Sequence, residues 1–288
     1  MRVANLKAFA LFCAVMLLSA CGQTEDLTTN PGADLTFTVK EFKKQGGKNC
    51  IDKPVEKTQE SLPSDNLCAR VRFVYPEASS SANPELATKL NQYIIAQLID
   101  QIDDGEEAEV VHATATKTLE QFASEFIDEY QQEPNNFSNW ELERIAKVIY
   151  KTKTLLSLSL DEYGFAGGAH PFNGTQLSVV NLKNAQSVKL ADLLNPNFES
   201  ALNVEGEKAF RDFHHLADTD DLEEKGFSFE NNVFRLNNNF AITEDGLKFI
   251  FNSYEIAPYA VGSTELNIPY ENIKSLIRPQ GELAELAL

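Results

Sequence analysis

Two hydrophobic periods take turns along this chain, and the places where one gives way to the other mark out the elements. Leu35, Phe37 and Val39 alternate with polar neighbours, which predicts a half-buried strand beginning near Asp34. Ala69 to Tyr75 repeats that alternation and stops at Pro76. Between them lie Lys-Pro, Leu-Pro-Ser-Asp-Asn and several charges, an irregular loop, so the two runs are expected to pair as antiparallel strands. The period then changes to that of a helix. Leu86, Leu90, Tyr93, Ile94, Leu98 and Ile102 share one face, behind an Asn83-Pro84-Glu85 start that suits a cap, a first turn and the helix dipole. A second helix is predicted from about Thr116 to Gln132, with Leu119, Phe122, Phe126, Ile127 and Tyr130 on its apolar side.

Strands dominate the remainder. Trp140 to Tyr150 and Thr154 to Tyr163 read as a hairpin, and Leu177 to Leu182 as a further strand that turns at Asn-Ala into Val188–Leu190. Ala191 to Leu194 predicts a short helix or turn, and Phe198 to about His215 a full helix. Four strand candidates follow at Phe227–Phe229, Val233–Leu236, Phe240–Thr243 and Leu247–Phe251. Glu265 to Ile268 and a helix from about Glu271 to Ile277 close the pattern. The fold class expected is α+β: mainly antiparallel sheets with inserted helices, in two closely packed sub-domains, 34–160 and 161–278. Residues 279–288 are expected to be a frayed tail.

The amino terminus changes the picture of address. Arg2 and Lys7 precede an apolar run from Ala8 to Leu18, too short for a comfortable membrane span. Leu18-Ser19-Ala20-Cys21 then resembles the lipobox of a bacterial lipoprotein signal. The expectation is a signal peptide over 1–20, cleavage before Cys21, and lipid attachment there. Residues 21–33 would be a flexible tether, and the rest would work outside the inner membrane. Gly22 is not an inner-membrane retention aspartate, so in a diderm host the periplasmic face of the outer membrane is expected.

Charge and cysteines narrow the partners. The formal charge is −18, and loss of 1–20 removes two basic residues and no acids, which deepens it to −20. Such a field repels nucleic acid and attracts cationic proteins or divalent ions, or serves solubility alone. Hydrophobic residues are 43% of the chain, enough for a real core. Cys13 lies within the signal, which leaves Cys50 and Cys68. An exported compartment permits a disulfide between them, a staple across the loop.

At three places the residues match a family pattern. They are Gly164 to Pro171 (GFAGGAHP), Ser187 to Leu194 (SVKLADLL), and Phe251 to Gly262 (FNSYEIAPYAVG) continuing to Ile268-Pro269-Tyr270. In order and spacing they resemble the RsiV-type extracytoplasmic domain, which is similar to the non-catalytic half of PdaC-type peptidoglycan deacetylases. The resemblance covers most of 34–278. It implies an α+β fold of two small lobes without known catalytic residues, a lysozyme-binding sensor in the RsiV type, and a companion to a catalytic domain in the deacetylases. A sigma-binding segment and a deacetylase domain are both expected to be missing from this chain.

Candidate chemistry is sparse. Gly167 and Gly168 allow the positive φ of a tight turn, and His170 either caps that turn or contacts a ligand on an exposed loop. Tyr254, Tyr259 and Tyr270 either pack their loop or form a binding face. These six residues are the candidate ligand surface. His214 and His215 with Asp218, Asp220 and Asp221 carry metal-ligand side chains, but adjacent histidines on a helix diverge and the spacing of a calcium loop is missing. No GxSxG, HExxH, Walker loop or CxxC is present. No catalytic residue, cofactor or metal is therefore assigned. The function expected is a non-enzymatic, lipid-anchored envelope protein that binds a basic lysozyme-like protein or peptidoglycan. The alternatives are a wall hydrolase using His170 or the His214–Asp221 cluster, and a structural envelope protein with protein partners only.

Overall fold

The computed structural model describes residues 30–47, 50, 67–99, 115, 117–133 and 138–286. The signal peptide, Cys21 and residues 21–29 of the expected tether lie outside them. The first strands are β1 (Thr36–Gly46) and β2 (Ala69–Ser79), paired antiparallel from Thr36–Ser79 to Gly46–Ala69 as expected. The inward alternation read from Leu35, Phe37 and Val39 breaks at Val39, which is 74% exposed, and Phe42 packs on the core instead. A disulfide between Cys50 and Cys68 closes the connection between them.

Two helices then cross one face of the sheet. In α1 (Pro84–Ile99) the Asn83 side chain accepts from the Leu86 amide at 3.2 Å, the expected cap. In α2 (Leu119–Gln132) Thr118 and Gln121 form a reciprocal capping box. This crossover returns the chain parallel to β2, so β3 (Trp140–Lys151) joins β2 in parallel register, a pairing invisible to alternation alone. β4 (Leu155–Phe165), β5 (Phe172–Asn181) and the short β6 (Gln186–Ser187) add antiparallel, giving one sheet in the order β1-β2-β3-β4-β5-β6. Phe73, Leu90, Ile94, Leu98, Leu156, Leu158 and Val180 form the core between this sheet and the helices. Arg144 is 3% exposed within it. It pairs with Glu162, donates to the Leu98 carbonyl at 2.7 Å and lies over the Phe122 ring. Such pairing and hydrogen bonding offset the cost of burying the guanidinium, and the ion pair is weak evidence of added stability.

The second lobe comprises α3 (Leu190–Leu193), α4 (Glu199–Phe213), and a three-stranded sheet of β7 (Phe240–Ile242), β8 (Gly246–Phe251) and β9 (Thr264–Pro269), followed by α5 (Tyr270–Ile273). Two expected strands did not form. Phe227, Phe229 and Phe234 instead converge on Phe210, with ring centroids 4.9, 5.4 and 5.2 Å from it. Filling the space over α4 outweighed the local β pattern. The boundary expected at 160/161 falls inside β4. Residues Leu155 to Leu160 of that strand are buried on both faces, one toward α1 and α2 and the other toward the second lobe. The sheets divide after β6.

Both ends of the described chain are docked. Pro31 and Gly32 are buried, and Lys151 donates to the Gly32 carbonyl at 2.9 Å, so the tether is not free up to residue 33. Asp34 clasps the loop before α1, accepting from Ser80 Oγ, both Ser81 donors and the Ala82 amide, which holds its carboxyl far below the ordinary aspartate value. Nor is 279–286 a frayed tail. Leu283 is fully buried in the second core, Glu282 meets Lys183 and Thr154, and Glu285 meets Lys153. A tail clamped across both lobes predicts that Leu283→Ala lowers stability in urea unfolding by about 2–5 kcal/mol, the range for a buried leucine truncation. A frayed tail would give no change.

Candidate functional site

The β4–β5 hairpin turn, residues 166–171, and the loop from β8 to β9 lie side by side. Gly167 and Gly168 take φ of 88° and 99°, the left-handed region expected of them, which lets the turn present His170 outward. The second loop is built on Asn252 and Glu255. The Glu255 carboxylate accepts the Asn252 amide at 2.8 Å, and the Glu255 amide donates to the Asn252 carbonyl at 3.2 Å. This tight turn forces Tyr254 to φ 72°, an uncommon conformation for a large side chain, and leaves it 62% exposed. A 3-10 turn at Tyr259–Val261 and Gly262 at φ 79° complete the loop.

His170 stacks on Tyr259 with ring centroids 4.6 Å apart and planes 18° from parallel. Tyr254 is 6.1 Å from His170 and 5.5 Å from Tyr259. Tyr254 Oη lies 3.1 Å from His170 Nε2, and His170 Nδ1 lies 3.3 Å from the Pro171 carbonyl. The carbonyl only accepts, so Nδ1 is placed to donate to it, and Nε2 and the Tyr254 hydroxyl share a hydrogen bond. Asn173 donates to Tyr259 Oη at 3.4 Å. The result is an exposed aromatic surface made from two segments 84 residues apart in sequence.

Five of the six candidate residues, Gly167, Gly168, His170, Tyr254 and Tyr259, thus share one surface or its supporting turn. Tyr270 does not. It is 4% exposed in the second core, its hydroxyl donates to the Thr243 carbonyl at 3.1 Å, and burial followed by nearby Tyr150 raises its pKa well above the ordinary tyrosine value. It packs; it presents nothing to a ligand. Tyr163, missed by the sequence reading, stands beside the cluster at 41% exposure, directly opposite Asn173 in the sheet. Burial, then Glu141, Tyr259 and Glu143, raise its phenol. Its only sequence signal was an aromatic residue on the outward phase of a strand next to Gly164.

The histidine–aspartate group disperses. His214 turns inward among Phe210, Phe213 and Phe227 and lies 2.9 Å from Thr264 Oγ1. Asp220 accepts the Ala217 amide and pairs with Lys225; Asp221 accepts the Glu224 amide and Asn232 Nδ2. Among the described residues no group of three His, Cys, Asp or Glu is placed to hold a metal ion.

Residues 63–173 match the family model described as Deacetylase PdaC, and residues 191–271 match Protein of unknown function (DUF3298). The two matches support a PdaC/DUF3298-type domain. The first match ends at the start of β5 and the second begins within α3, so the rest of β5 and β6 lie between them. A solved DUF3298-family protein from Bacteroides fragilis is similar at a TM-score of 0.67 and 18% identity, over 88% of this chain and 98% of that one. Another from Pseudomonas aeruginosa PAO1 gives 0.59 and 20%, over 85% and 96%. At those identities the likeness is one of fold. No curated protein matches the sequence.

Desolvation, and next the adjacent His215, push the His214 pKa below the ordinary 6.5. The unfolded chain therefore takes up the proton first as pH falls. Stability from the neutral ring is fully present above about pH 6.5 and is lost as pH drops through that value toward the folded pKa. The difference in urea midpoint between the wild type and His214→Gln should shift between pH 7.5 and 5.5, with the wild type losing more. Parallel profiles would contradict an inward-facing neutral ring.

Proposed function

We propose that this domain is a non-catalytic binding module of the cell envelope, held to the membrane by lipid on Cys21, that engages a basic lysozyme-like protein or peptidoglycan. The observation that carries the reading is the exposed His170–Tyr254–Tyr259 stack. Aromatic side chains on rigid turns give large contact area at low conformational cost, as binding hot spots require. The turn that holds Tyr254 in the left-handed region keeps the residue 62% exposed beside His170 and Tyr259. The charge of −18 favours a cationic protein as the ligand by raising the rate of encounter. The PdaC match favours the wall polymer, as the name of that family is a deacetylase.

A metal-assisted hydrolase is the second reading. It has less to stand on, because the side chains it would use are spread between core and surface turns. A purely structural envelope protein is the third, and it leaves the aromatic stack without a task.

The test is direct binding of the full chain to a basic lysozyme at low and high salt, with pelleting on purified peptidoglycan alongside. Binding to one of them is expected, with the lysozyme interaction weakened by salt. Tyr259→Ala should weaken it by at least about 2 kcal/mol while the thermal unfolding profile stays folded. Failure to bind either ligand, or indifference to Tyr259→Ala, would sink the reading. Cys21→Ser should move the protein from the membrane fraction to the soluble one; retention at the membrane would remove the lipid anchor from the proposal.

A further inference from the structure

Behind Tyr254 opens a groove of about 570 Å3, within the size range of small-ligand sites. Its walls are the irregular segment 228–237 and the turn at 251–256, and they include Ser228, Glu230, Arg235, Asn237, Tyr254 and Glu255. Both walls are conformationally unusual. Asn231 and Asn232 take φ of 54° and 55° beside Glu230, and Tyr254 takes 72° opposite. This is also where the sequence pattern called for strands and the chain declined to form them. Local rules tend to fail where a site is built.

Charge inside the groove is left open. Of the described arginines, Arg70, Arg72, Arg144, Arg211 and Arg278 each have an ion pair or a hydrogen bond. Arg235 has neither and is exposed. Glu230 is likewise exposed and pairs with no described side chain, Arg235 included. Glu255, by contrast, is turned into the wall: Asn237 Nδ2 donates to its Oε1 at 2.7 Å and the Asn252 amide to its Oε2. Two opposite charges that share a concavity without neutralising one another are complementary to a ligand carrying both signs.

We infer that the groove is a binding site for a zwitterionic ligand, an amino acid or short peptide whose carboxylate meets the Arg235 guanidinium and whose ammonium meets the Glu230 carboxylate. Arginine is suited to the first task by its planar fork of donors. Ser228 supplies a neutral hydroxyl beside the charges, while Asn237 is engaged within the wall by Ile250, Glu255 and Asn239. The peptide portion of peptidoglycan carries such groups, and only for that source does the inference rest on the wall-binding reading above.

The probe is D-alanyl-D-alanine, compared with its N-acetyl and C-terminal amide forms, titrated into the full chain and followed by chemical shifts. Saturable shifts at 228–237 and 251–256 are expected with the free dipeptide. Each blocked form should bind roughly tenfold weaker or less well still, the loss expected for one charge-assisted hydrogen bond. Arg235→Gln should make the amide and the free acid equivalent; Glu230→Gln should do the same for the acetylated and free amine. Tyr259→Ala should leave dipeptide binding intact, which separates this site from the aromatic surface. No saturable binding at about 10 mM, equal binding of all three forms, or unchanged selectivity in both variants would overturn it.

Discussion

Two asparagine side chains cap the strand edge at which this molecule's two sheets meet, and they set where its exposed loops fall. β6 pairs with β5 only at Val180 and Asn181, so the rest of that strand's outer edge has no strand beside it. Asn239 accepts from the Leu177 amide at 2.6 Å and donates to the Thr175 carbonyl at 2.8 Å. Asn252 accepts from the Thr175 amide at 2.7 Å. A strand edge that would otherwise need pairing or covering is thus satisfied by side chains from the two ends of β7 and β8. Ser157 Oγ, buried on β4, accepts the Ile242 amide at 3.1 Å and completes the seam.

From that seam the site follows. Asn252 is both the edge-capping residue and the first residue of the loop that carries Tyr254 and Tyr259. Anchoring it to Thr175 places the loop beside the hairpin that leads into β5, and His170 is on that hairpin. The same turn, closed by Glu255, strains Tyr254 and forms one wall of the groove. The aromatic surface and the charged groove are two sides of a single loop held at its base. An amide substitution at Asn252 would therefore disturb sheet, stack and groove together, whereas Tyr259, His170, Glu230 and Arg235 can each be changed alone.

Much of the fold was legible because its signals were local. Asn83-Pro84-Glu85 announced one helix and the apolar face from Leu119 to Tyr130 the next, and the two alternating runs on either side of the cysteine loop announced the pairing of β1 with β2. The cysteines were few enough that the Cys50–Cys68 pair could be expected from their count together with an expected exported compartment. What misled was also local. The aromatic run from Phe227 to Phe234 reads as strands, yet its rings pack on Phe210. Residues 279–286 look polar and terminal, yet Leu283 enters the core. Tyr270 resembled its neighbours Tyr254 and Tyr259 in sequence, and burial alone distinguishes it from them.

The sequence by itself determined the α+β class, most elements, the disulfide, the acidic field and the residues worth watching, because periodicity, caps, charge and cysteine count act within a few residues or over the whole chain. The tertiary structure alone decided the parallel β2–β3 pairing, the double burial of β4, the docking of both ends, and which watched residues meet. Contacts across 84 residues, such as Tyr254 with His170, depend on how a sheet edge finds its hydrogen bonds. That question is answered only when the partners have been brought together in space.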